Sequence, residues 1–157
     1  GLEHKHYQHN KYEVAGSQIA LCGVNVNNQC SAFGMKDGSI QIISPDGKVL
    51  NTLREHKASI CSLALVKIKG QIYLASGSDI GCSKIISGIN FMAAIITVLK
   101  HKAAVTAIID LQDGTHILSG SYDKKINIYN VEQGRFIYNL PANTASVTGA
   151  IITKLGN

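Results

Sequence analysis

Three segments of the chain superimpose without gaps: AFGMKDGSIQIIS (32–44), ASGSDIGCSKIIS (75–87) and LSGSYDKKINIYN (118–130). Their glycines, Gly34, Gly77 and Gly120, recur every 43 residues. Self-similarity at a fixed period of this length is the signature of a repeat architecture, and it constrains the fold more than any single motif. Each copy reads as strand, tight turn, strand. In the third, Ile126 and Ile128 alternate with Lys125, Asn127 and Tyr129, the period of two of a pleated strand. The turns carry Asp37-Gly38 or Asp123-Lys124, residue types suited to turn geometry.

Further short apolar stretches flank each hairpin. SQIALCGV (17–24), ASICSLALV (58–66) and AAVTAIIDL (103–111) lead in; VLNTL (49–53), FMAAIITVL (91–99) and RFIYNL (135–140) lead out. Four short strands in each period predict an all-β array, and no segment has the period and caps of an amphipathic helix. The longest apolar run, 91–99, is nine residues, far below the roughly twenty of a membrane helix. With 45% hydrophobic and 16% charged residues, the 157-residue chain has the composition of an ordered globular protein. Cys22, Cys30, Cys61 and Cys82 show no zinc-site spacing and no disulfide framework. Together with an N-terminus lacking a signal-peptide core, that predicts an intracellular, cytoplasmic protein. Cys61 and Cys82 read as small core residues rather than reactive thiols. His4, His6 and His9 read as part of a polar lead-in, or of an outer strand, rather than as a metal site.

Ser119, Asp123 and the upstream His101 could be a hydrolase triad or the internal bracing of a repeated unit. A serine nucleophile needs an exposed hydroxyl, an oxyanion hole and a pocket. No G-x-S-x-G elbow occurs, and Ser119 falls inside a predicted strand with neighbours on both faces. The bracing reading is the better one: a buried imidazole needs both ring nitrogens satisfied, and a strand hydroxyl with a turn carboxylate can do it.

Over residues 15–157 the repeats resemble the WD40 family. ASGS stands at 75–78, and LSGSYDKKINIYN keeps everything but the final Trp-Asp, which is Tyr129-Asn130 here. The resemblance implies WD40-like β-propeller blades: about three four-stranded blades (15–53, 54–99, 100–140) plus one strand in 141–157, preceded by the lead-in 1–14. Propellers usually close with four to eight blades. The expectation is therefore an incomplete ring, a fragment of a longer propeller, with self-association or completion by another subunit as the other routes. The resemblance also implies a hydrogen-bonded structural set: His101, Ser119 and Asp123 with Tyr129 in the Trp place; His56 and Ser76, with Ile80 where the Asp belongs; and Asp37 in the first unit, where Phe33 takes the Ser place.

By the family pattern, one rim collects Arg54, Lys57, Lys100, Lys102, Lys36, Lys124 and Lys125 against Glu55, Asp37, Asp79 and Asp123. The opposite rim is balanced: Lys48, Lys67, Lys69 and Arg135 against Asp46, Asp110, Asp113 and Glu132. The lysine-rich top rim can simply keep the chain soluble, or it can dock an acidic peptide or protein through Lys57, Lys102, Lys124 and Lys125 with Tyr122 as aromatic contact. The expected function is a non-catalytic interaction scaffold with no catalytic residues, metal or cofactor. A nucleic-acid-associated propeller is the alternative, disfavoured by the small basic rim and the lack of a base-stacking motif. A propeller enzyme is a second alternative, with no carboxylate or histidine cluster to carry it.

Overall fold

The computed structural model describes residues 12–14, 18–86, 95–99 and 101–141. It contains thirteen strands among them: β1 (Tyr12–Val14), β2 (Gln18–Asn27), β3 (Cys30–Met35), β4 (Ile40–Ile43), β5 (Val49–Leu53), β6 (Ile60–Ile68), β7 (Gln71–Ser78), β8 (Cys82–Ile86), β9 (Ile95–Leu99), β10 (Val105–Asp110), β11 (His116–Ser121), β12 (Lys125–Asn130) and β13 (Arg135–Pro141). They form three antiparallel sheets in chain order, β1–β5, β6–β9 and β10–β13. Each sheet is an up-and-down meander of four strands. The first also carries β1, paired to β2 with Val14 opposite Gln18.

The leading strands β2, β6 and β10 adjoin one another, so the sheets stack as successive blades, and among the described residues they do not close into a ring. Apolar side chains fill the two seams. Ala32, Ile40, Ile42, Leu53, Ile60 and Leu74 are buried between the first and second blades. Val66, Ile68, Val105, Ile117, Tyr129 and Val131 are buried between the second and third. The middle blade thus contributes to both seams, through Ile60 and Leu74 on one side and Val66, Ile68 and Ala75 on the other.

The period of 43 has a physical cause at each seam. A Cβ on Gly77 would lie 2.5 Å from Ser62 Oγ and 2.7 Å from Val105 Cβ, the leading strand of the next blade. A Cβ on Gly34 would likewise meet Ile60 Cγ2. At both seams glycine leaves room for side chains of the adjoining leading strands, Ile60 and Cys22 against Gly34, Val105 and Ser62 against Gly77. A polar contact repeats beside it: Ser62 Oγ donates to Val105 O at 2.7 Å, and Cys22 Sγ stands 3.7 Å from Ile60 O. Within each blade the hairpin turn is tied to the leading strand by the same bond: Lys36 N to Ile19 O, Asp79 N to Ser59 O and Tyr122 N to Ala104 O, at 3.0, 2.9 and 3.1 Å.

The β6–β7 hairpin is longer than its counterparts and ends in the two-residue turn Lys69-Gly70, with φ of 51° and 81°. Positive φ at both central residues is the hairpin turn that matches strand twist. Its backbone reaches the third blade, where Lys69 N donates to Gly114 O at 3.0 Å and Lys67 N to Asp110 Oδ2 at 2.9 Å. Lys69 Nζ also pairs with Glu132 at 3.0 Å.

Candidate functional site

The structure brings His101, Ser119 and Asp123 together. Ser119 lies mid-strand in β11, opposite Asn127 of β12, and Asp123 sits in the β11–β12 turn. His101 precedes β10 and packs down between them, with its side chain 2% exposed. Its Nε2 is 2.8 Å from Ser119 Oγ, and its Nδ1 is 3.1 and 3.3 Å from the two Asp123 carboxylate oxygens. A neutral ring that donates from Nδ1 to the carboxylate accepts the serine proton at Nε2, so both nitrogens are satisfied. The Asp123 carboxylate also accepts from Lys102 N and Lys125 N, each at 2.9 Å. Burial alone would raise the Asp123 pKa; the Lys102 and Lys125 amides and the His101 ring together outweigh it and hold the carboxyl below its usual range.

The connectivity Asp–Nδ1, Nε2–Ser is that of a hydrolytic triad, so access decides the chemistry. Ser119 is 6% exposed and His101 8% exposed, and neither lines either of the two surface grooves described below. A buried hydroxyl bonded to a buried ring has no place for a substrate carbonyl. The arrangement holds the 101–103 loop and the β11–β12 turn in fixed relation. Tyr129, in the tryptophan place, puts its ring in the seam between blades, with burial raising its pKa. Its hydroxyl points toward Gly134 in the β12–β13 turn.

The second blade keeps half the set: His56 Nε2 is 2.7 Å from Ser76 Oγ, both buried, while Ile80 is 64% exposed at the position of Asp123. In the first blade Phe33 packs with Ala20, Met35 and Ile43. Asp37 accepts from Ser39 Oγ at 2.6 Å and Ser39 N at 2.9 Å, and pairs with Arg54 at 3.8 Å; the Ser39 bonds first, then Arg54, lower its pKa.

These braces set out the lysine rim. Gly38, with φ of 92°, packs its turn against the next blade's lead-in loop so closely that a Cβ would lie 2.6 Å from His56 O. Gly81, with φ of 88°, packs against His101 O in the same way. Lys124 holds the equivalent place in the third blade with φ of 67°. Lys36, Lys57, Lys102, Lys124 and Lys125 are all exposed, and Tyr122 is 76% exposed. Lys100 and the N-terminal His4, His6 and His9 lie outside the described residues, as does the Cys82 side chain. Among the described residues no group of three or more His, Cys, Asp or Glu could hold a metal ion, and no helix is long and apolar enough to cross a membrane.

Three features have no counterpart in the sequence reading. On the opposite rim, His116 Nδ1 is 2.5 Å from Asp113 Oδ2, and Asp113 Oδ1 accepts from the Thr115 and His116 amides. The Asp-x-x-His spacing with a turn between is the signal that could have found it. A groove of about 360 Å³ lined by Lys67, Gly70, Asp110, Gln112 and Gly114 lies between the second and third blades. A second groove, of about 230 Å³, lies between the first and second, lined by Ile19, Leu21, Lys36, Ser59, Cys61 and Asp79. Burial, reinforced by Asp79, pushes the Cys61 thiol up to about 11, and burial pushes Cys22 up to about 12. Neither is a ready nucleophile.

Stacked four-stranded antiparallel sheets with adjoining leading strands, glycine seams and His–Ser braces define the class: these are blades of a β-propeller. The family model of the WD domain, G-beta repeat (WD40), matches residues 94–130. A WD40 repeat thus stands at 94–130, within a stack of WD40-like propeller blades. It is similar to "Transcription factor unc-37" of Caenorhabditis elegans, 26% identical over 122 residues, covering 78% of this chain and 19% of that protein. It is also similar to "COMPASS component SWD3" of Saccharomyces cerevisiae (strain ATCC 204508 / S288c), 30% identical over 115 residues, covering 73% of this chain and 36% of that protein. Among solved structures, a chain of the "Crystal Structure of Mitotic Checkpoint Complex" superimposes with a TM-score of 0.67 at 22% identity, over 81% of this chain and 41% of that one. The chain therefore spans less than half the length of each of these proteins.

Proposed function

We propose that the chain is a non-catalytic interaction platform inside the cell, whose top rim docks an acidic peptide or protein segment. The observation that carries this reading is the asymmetry of the rim charges. Asp123 turns its carboxylate inward onto His101 and two backbone amides, with 10% of its side chain exposed. Lys57, Lys102, Lys124 and Lys125 face solvent around the exposed Tyr122. The Asp123 carboxylate, spent on bracing, leaves the third-blade loops it fixes with an unbalanced positive face, the complement of an acidic segment. Two relatives are named a transcription factor and a component of a complex, which fits a part that works by assembly. The free thiols of Cys22, Cys30 and Cys61 suit a reducing compartment.

The test is a binding titration with a fluorescent Glu/Asp-rich peptide. Changing Lys57, Lys102 and Lys124 together to Glu should abolish binding and leave the thermal melt unchanged, because all three are exposed. Unchanged affinity refutes the reading. Tight binding of single-stranded RNA with a steep salt dependence would instead favour a nucleic-acid partner.

A further inference from the structure

The groove between the first two blades lies beside this rim and differs from it in chemistry. Ile19, Leu21 and Cys61 give it apolar walls, and Ile19 is 42% exposed there although it is a large aliphatic residue. Ser59, also in the lining, spends its hydroxyl on Lys36 O at 2.6 Å. Asp79 Oδ1 is met by Cys61 Sγ at 3.7 Å, while Lys36 makes no ion pair among the described residues and is exposed. The groove therefore offers a site for an apolar group, with the Lys36 cation and the Asp79 carboxylate both in its lining. At about 230 Å³ it falls below the roughly 300–1,000 Å³ of small-molecule pockets. It is still roomier than the roughly 150 Å³ apolar cavity that holds a benzene ring. That is the size of one large side chain.

We infer that this groove receives a single apolar side chain of the acidic segment docked on the lysine rim, so that the partner is an acidic peptide with an aliphatic anchor and not a plain polyanion. The inference rests on the acidic-segment reading of the rim. Continuity of the two surfaces supports it: Lys36 belongs to the turn that packs, through Gly38, against the loop carrying Lys57. Ile80 directly follows the lining residue Asp79 and is 64% exposed, which extends the apolar strip toward the third blade. The Cys61 thiol, with its pKa near 11, stays neutral and so remains part of an apolar wall. The groove on the opposite rim lacks this character, because its lining of Lys67, Gly70, Asp110, Gln112 and Gly114 contains no aliphatic residue.

Two short fluorescein-labelled peptides of equal acidic charge, one with a central leucine and one with serine in its place, decide the matter by anisotropy titration on the full chain. The leucine peptide should bind about tenfold tighter or more, as expected for burial of one leucine side chain. Cys61→Phe, which fills the groove, should abolish that advantage while leaving the serine peptide's affinity unchanged. Ile19→Ser, at an exposed wall position, should reduce the advantage in the same direction and serves if the larger residue impairs folding. Equal affinities of the two peptides, or a leucine advantage surviving both variants, overturn the inference. Equal affinities that are both lost in the triple Lys→Glu variant overturn the groove but leave the rim standing. Failure of both peptides to bind overturns the groove and the rim alike.

Discussion

Removing the Asp123 carboxylate tests whether the His–Ser–Asp set is a brace. In Asp123→Ala three donors lose their acceptor: Lys102 N and Lys125 N at 2.9 Å, and His101 Nδ1 at 3.1 Å. The two amides lie at an exposed turn and can rebond to water, so their loss resembles that of a helix cap, about 0.5–2 kcal/mol. The imidazole N–H cannot, since the His101 side chain is 2% exposed, and a buried donor left unsatisfied costs about 1–3 kcal/mol. The variant should therefore be about 2–4 kcal/mol less stable, a large share of the roughly 5–15 kcal/mol typical of a folded domain. For a chain of this size that is a drop of roughly 5–15 °C in the thermal midpoint.

The pH dependence gives the experiment a second readout. The folded-state pKa of Asp123 is lowered, so its stabilising contribution is complete above the unfolded-state value, near 4. It is lost as pH falls through the folded-state pKa. Urea unfolding at neutral pH and on the acid limb should show the gap between wild type and Asp123→Ala at full size in the first and shrinking in the second. A variant within about 0.5 kcal/mol of wild type, below the range expected for a lost buried hydrogen bond, would refute the brace. So would a gap that persists undiminished in acid.

Three further substitutions probe the repeat. Ile80→Asp places a carboxylate in the second blade where Asp123 stands in the third and removes an aliphatic side chain that is 64% exposed; it should raise stability by about 1 kcal/mol, read as a higher thermal midpoint. Gly77→Ala drives a Cβ to 2.5 Å from Ser62 Oγ and 2.7 Å from Val105 Cβ, so overpacking of the seam should cost about 1–3 kcal/mol in urea unfolding. Lys124→Gly relieves a φ of 67° at a position that is glycine in the other two blades, and it should stabilise by about 0.5–1 kcal/mol while weakening acidic-peptide binding.

The parts of the fold legible in the sequence are those where close approach or positive φ demands glycine. Gly34 and Gly77 mark where one blade's strand meets the next, and Gly38 and Gly81 mark turns with positive φ pressed against a carbonyl. No other residue meets these conditions cheaply, so the period survives even where the surrounding side chains have drifted. The strand–turn–strand order around these glycines was legible for the same reason. The extra length of the β6–β7 hairpin was not, because Lys69-Gly70 is a turn between two apolar runs that read as continuous with their neighbours.

The braces and grooves follow a different logic. The third blade has His101, Ser119 and Asp123; the second has His56 and Ser76; the first has replaced the serine by Phe33, which packs with Ala20, Met35 and Ile43. Apolar packing can fill the space that a hydrogen-bonded set fills, so a blade loses the brace without losing its shape, and the brace is free to remain where a loop must be held still. The best-preserved set stands under Lys102, Tyr122, Lys124 and Lys125. The groove beneath Lys36 escapes a reading by repeats for the opposite reason. Ile19, Leu21, Cys61 and Asp79 each stand at a different point of two successive blades. Their side chains converge only because β2 and β6 lie side by side, a juxtaposition that exists in the folded stack and nowhere along the period.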